Sequence, residues 1–157
     1  DVYEDARALG LRTSAHAGEA AGPDSIRGAV EVLKVDRVGH GIAAQSDAGV
    51  LALLAETQVP IELCPLSNVA TGSLAKIEDH PVRQFWDAGL MLTVNTDDPG
   101  MFHNSMVEEF MVLHDVFGFD RAQIKTFILN GVSASWQTAD QRTAMAKAFQ
   151  AEPAWQS

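Results

Sequence analysis

The chain is short of several things, and each shortage excludes a class of protein. It has one cysteine, Cys64, so no intrachain disulfide can staple it, and a reducing cytoplasm is the expected location. Positive charge is scarce: 11 Lys and Arg stand against 21 Asp and Glu, a net charge of −10, and no basic stripe forms. A nucleic-acid partner is not expected from that balance. No apolar stretch approaches the roughly 20 residues that span a bilayer, so no membrane partner is expected either. No basic residues interleave with Trp86, Trp136 and Trp155, which read as helix-packing residues rather than a base-stacking platform. No Gly-rich phosphate loop follows the first strand, which disfavours a doubly wound nucleotide fold.

What is present is enough apolar material for the core of one domain, 46% of 157 residues. Short apolar runs alternate with helical periodicities. Strands are expected over about 11–16, 35–40, 59–64 and 90–97, with carboxyl-terminal helices within 104–149. Asp24 can cap a helix carrying Ile26, Val30 and Leu33, and Ser46 precedes another carrying Val50, Leu51 and Leu54. Pro81 opens a helix that Gly89 stops, and Ser105 with Glu108 makes a capping box. Strands apolar on both faces, separated by amphipathic helices, predict an α/β fold with a helix-covered parallel sheet. Residues 1–10 read as the end of a helix capped by Gly10, so the start is expected to be cut from something longer.

Four strings fall at the ends of the strands: His16-Ala17-Gly18-Glu19, Gly39-His40-Gly41, Cys64-Pro65-Leu66-Ser67-Asn68 and Asn95-Thr96-Asp97-Asp98-Pro99. In a closed barrel such positions converge on one pocket. His16 and Asp97 offer nitrogen and oxygen donors suited to catalytic zinc. Glu19 could serve there as general acid or base. Two glycines clear space around His40. The adjacent carboxylates of Asp97 and Asp98 are costly unless a cation or shared proton relieves them. Each string also has a plain reading: a structural histidine, a solvated carboxylate, a turn, an Asp cap before proline. Their joint order at strand ends carries the signal.

In that order the strings resemble the adenosine deaminase family, zinc amidohydrolases of purine metabolism, and specifically its carboxyl-terminal half. The resemblance covers about Thr13 to Gly100 and includes Thr71-Gly72 after Ser67-Asn68. It implies about strands 5–8 of a (β/α)8 barrel, with the amino-terminal half outside this sequence and acting as its structural partner. It further implies a Zn2+ cofactor held by His16 and Asp97. Two more ligands are expected from a His-x-His pair on the missing first strand, since this chain contains none. Glu19 would protonate purine N1, His40 would orient and help deprotonate the attacking water, and Asp98 would bond the nucleophile or purine N7. Gly18 and Asp98 are the implied substrate contacts. The implied reaction converts adenosine or deoxyadenosine to the 6-oxo nucleoside and ammonia. Adenine and aminodeoxyfutalosine are the alternative substrates, and a non-catalytic relic of the barrel is the reading from another class. A half barrel is expected to self-associate and to be inactive alone.

Overall fold

A computed structural model describes residues 2–155; Asp1, the first residue of the helix end expected over 1–10, lies outside the described residues. After helix α1 (Val2–Ala8), strands β1 (Ser14–Ala17), β2 (Arg37–His40), β3 (Ile61–Leu63) and β4 (Leu92–Val94) pair in parallel in the order β1-β2-β3-β4. Each new strand joins the same growing edge. That is the winding of a barrel, whereas a doubly wound sheet reverses its order at a switch point. The fold is an α/β half barrel.

Register assigns the two faces. Ala15, Val38, Ile61 and Leu92 lie side by side across the sheet, and so do His16, Gly39, Glu62 and Thr93. Successive residues of a strand point to opposite faces, so the first row and the second face opposite ways. The first row, buried except for half-buried Ala15, packs against helices α2 (Pro23–Arg27), α3 (Ala48–Thr57) and α5 (Val82–Asp87) in one core with Ile26, Val50, Leu54 and Phe85. Phe119 and Phe127, edge to face at 5.1 Å, and Trp86, 5.0 Å from Phe127, close that layer. The second row is polar, and on the same face Arg37 pairs with Glu62 at 3.3 Å. The expectation of strands apolar on both faces is therefore corrected. The inner face builds a polar cavity rather than a dry core, so only the helix-facing row needs to be apolar.

Helix starts also differ from expectation by a residue or two. Asp24 lies inside α2, which begins at Pro23, and a π-helical turn over Gly28–Val32 extends it. Asp47 rather than Ser46 caps α3, accepting from the N–H groups of Gly49 and Val50. Ser67 and Asn68 sit within α4 (Pro65–Ala70), not in a turn. Beyond the short α6 (Pro99–Phe102), helices α7 (Met106–Asp115), α8 (Arg121–Ala134) and α9 (Ala139–Ala151) complete the cover, with full capping boxes at Asp120 and Thr138. Among the described residues, β1 and β4 each pair on one side only.

Candidate active site

The carboxyl ends of the strands deliver the polar side chains to one place. His16 stands near the end of β1. Behind it Gly18 turns the chain at φ +69°, where a Cβ would sit 2.4 Å from Ile26 Cδ1. The Gly18 N–H donates to Ser25 Oγ at 2.8 Å and its carbonyl accepts from Ala43 N–H at 2.8 Å, so both backbone groups hold the fold. At the end of β2, buried His40 adopts φ +64°, and beyond β4 Asp97 adopts φ +59°. Left-handed backbone in a residue other than glycine costs on the order of 1–3 kcal/mol, a cost that functional sites often carry.

These strained positions bring four of the expected residues together. His40 Nε2 lies 3.3 Å from His16 Nδ1, 3.4 Å from Glu19 Oε2 and 4.0 Å from Asp97 Oδ2. Gly39 leaves room for the His16 ring; a Cβ there would lie 3.3 Å from His16 Cδ2. His16, His40, Cys64, Asp97 and Glu62 line a cavity of about 290 Å³. Glu19 closes its flank. Asp98 stands apart: its Oδ1 accepts from Met101 N–H at 3.0 Å and caps α6.

The donor set fits a metal ion. Ligating atoms of His16, Glu19 and His40 all lie within 4.8 Å of one another, as do those of His40, Cys64 and Asp97. Imidazole and carboxylate donors of this kind suit zinc, and an oriented carboxylate is the usual support around such a centre. Ser67 Oγ provides that orientation, donating to Asp97 Oδ2 at 2.6 Å. The other histidines are engaged elsewhere. Buried His80 accepts from Val82 N–H through Nδ1, His114 Nδ1 meets the Phe119 carbonyl at 2.9 Å, and His103 ends α6.

Burial disfavours the charged forms of two side chains at the centre of the site, His40 and Cys64. Burial pushes His40 below the ordinary imidazole value, with His16 acting the same way and Glu19 and Asp97 opposing. Burial, reinforced by Asp97 and Glu109, raises the Cys64 thiol far above its usual range, so it stays protonated.

Three supporting residues, Glu62, Ser73 and Glu109, go beyond those the sequence singles out, and Thr71, part of the Thr71-Gly72 string, takes a role the sequence does not assign it. Glu62 could have been found by reading β3 with period two, which sets it in the row of His16. Thr71 and Ser73 touch Glu19 across more than 50 residues, which no local pattern reveals. Fully buried Glu109, whose carboxyl burial pushes up, accepts from Asn104 Nδ2 at 2.7 Å and Leu66 N–H at 3.3 Å. In the sequence it looks like any first-turn helix acid.

A singly wound parallel half barrel with His, Glu and Asp gathered at its strand ends has the architecture of the amidohydrolase and deaminase barrels. The adenosine deaminase family model matches residues 1–151, and the chain belongs to that family. It is 38% identical over 137 residues to the aminodeoxyfutalosine deaminase of Streptomyces coelicolor, covering 87% of this chain and 35% of that one. It is 37% identical over 143 residues to the adenosine deaminase of Escherichia coli, covering 91% and 43%. The adenine deaminase of Arthrobacter aurescens superposes with a TM-score of 0.90 at 34% identity, over 95% of this chain and 46% of that one. An amidohydrolase of Burkholderia ambifaria solved with bound zinc gives 0.87 at 33%, over 98% and 43%. The chain thus spans less than half the length of these relatives. No helix among the described residues is long and apolar enough to cross a membrane.

Proposed function

We propose that this chain forms the carboxyl-terminal half of a zinc-dependent deaminase that hydrolyses the 6-amino group of a purine nucleoside, adenosine first. The observation that carries the reading is the contact of Glu19 with His40 at 3.4 Å beside His16 and Asp97, an acid–base pair next to two metal donors. His16 and Asp97 would hold the ion together with histidines from an amino-terminal half. Zinc, when bound, supplies a water activated for attack at neutral pH. His40, neutral through burial, orients the attacking water and accepts its proton. Glu19 delivers a proton to purine N1 as the attack proceeds at C6, and ammonia leaves. In this reading Asp98 and Gly18 contact the substrate, Asp98 after giving up its cap on Met101 and the Gly18 N–H after leaving Ser25 Oγ. A lone, buried Cys64 fits the reducing cytoplasm as the enzyme's location.

Aminodeoxyfutalosine is the second reading, favoured by the 38% identity to the Streptomyces enzyme. The test is ammonia release by the full protein carrying this chain from adenosine, deoxyadenosine, adenine and aminodeoxyfutalosine in parallel. The highest kcat/KM is expected for adenosine, with Glu19→Gln lowering kcat by about 10²–10⁴. No ammonia from any of the four would contradict the proposal.

A further inference from the structure

Glu109 is the one fully buried carboxylate among the described residues, and it does not line the cavity. It stands in the first turn of α7, where the amino end of the helix favours negative charge. Its two oxygens hold two different segments. Oε2 accepts from the Leu66 N–H of α4 at 3.3 Å, and Oε1 accepts from Asn104 Nδ2 at 2.7 Å. The same Asn104 nitrogen donates to the Thr96 carbonyl at 3.0 Å. Leu66 precedes Ser67, whose hydroxyl donates to Asp97 Oδ2 at 2.6 Å, and Thr96 precedes Asp97 itself. Both paths from Glu109 therefore end at Asp97, a residue whose backbone is held in the left-handed region at φ +59°.

We propose that Glu109 and Asn104 are positioning residues that fix where Asp97 presents its carboxylate to a metal ion. The inference rests on the function proposed above and deepens it. An amide nitrogen carries two hydrogens, and Asn104 has an acceptor for each. Its Oδ1 is buried without a partner among the described residues, so the side chain serves through its nitrogen. Turned round, the amide would set one oxygen against two others. A left-handed aspartate persists only where the surrounding structure over-determines it. Ser67 restrains the side chain of Asp97, Asn104 restrains the carbonyl before it, and Glu109 ties these two supports together. Breaking either bond to Glu109 leaves a buried polar group unpaired, so the tie is costly to loosen.

The test measures zinc affinity in the full protein carrying this chain, by competition with a chromophoric chelator. Glu109→Gln keeps the shape but turns an N–H group toward one of the two donors. It is expected to weaken zinc binding by about 10–100-fold. Asn104→Ala is expected to do the same from a half-buried position, and carries the test if the buried substitution fails to fold. Either one combined with Ser67→Ala should lose less than the product of the two single losses, because all act on one carboxylate. The visible bands of the cobalt-substituted protein should shift in the single variants, a change that lowered fold stability alone does not produce. Asn104→Ala with wild-type zinc affinity or an unshifted cobalt spectrum would overturn the inference. Fully multiplicative losses, or an unsubstituted protein that binds no zinc, would overturn it too. If the unsubstituted protein binds zinc but deaminates no 6-aminopurine, the functional reading fails, while the zinc affinities still decide whether Glu109 and Asn104 position Asp97.

Discussion

Ser67 and Asp97 meet at 2.6 Å, the hydroxyl of α4 donating to the carboxylate that follows β4. The contact bridges two consecutive strand–helix units and holds a strained Asp97 in place. Ser67→Ala is expected to weaken zinc affinity by about 10–100-fold while barely changing the fold, measured by competition with a chromophoric chelator. Unchanged affinity would mean that Asp97 is oriented without Ser67 or does not bind the metal.

Gly18 gives a second prediction. Its left-handed backbone and the Ile26 side chain leave no room for a methyl group. Gly18→Ala is expected to destabilise the domain by about 2–4 kcal/mol, from backbone strain plus overpacking. A chemical-denaturation midpoint equal to wild type would show that the turn between β1 and α2 relaxes freely.

How the site was legible follows from these two cases. His16, Glu19, His40 and Asp97 could be read because each follows an apolar strand, and the fold converts chain order into a shared rim. Asp98 was legible as a residue but not as a cap, since Asp before Pro fits both a site and a helix start. The faces of the strands were misread: Arg37, Glu62 and Thr93 were absorbed into apolar runs, and only the register puts them on one polar surface. Partners such as Thr71 for Glu19 and Asn104 for Glu109 depend on how helices dock, which sequence periodicity does not encode.

A pH prediction comes from His80. Burial, helped by His40, lowers its pKa from 6.5 to about 4. The native state then binds fewer protons than the unfolded chain between these values, so stability is present above pH 6.5 and is lost as pH falls toward 4. The loss is about 3 kcal/mol. Glu109 works the other way: its raised folded-state pKa adds stability at low pH that is lost as pH rises through that value. Comparing wild type with His80→Asn by urea denaturation at pH 7 and pH 4.5 isolates the histidine, whose removal should flatten the acid slope. An equal slope in the variant would contradict this.

The open edges make a prediction for residues 1–157 expressed alone. Beside β4 lies an apolar groove of about 380 Å³ formed by Met106, Phe110, Met145 and Phe149, and Val107 is 70% exposed. Unpaired strand edges next to such a surface recruit further chains. Size-exclusion chromatography with light scattering should find oligomers or aggregate rather than a stable monomer. A monodisperse monomer with a cooperative melt would show that the half barrel folds unaided.

The most direct measurement is the metal content of the full protein carrying this chain, compared with its His16→Ala and Asp97→Ala variants after purification without added metal. One zinc per chain in the unsubstituted protein, largely lost from both variants together with purine deamination, is the predicted result. A protein that holds no metal, or variants that keep both zinc and turnover, would contradict the assignment of His16 and Asp97 as the half of the metal site this chain provides.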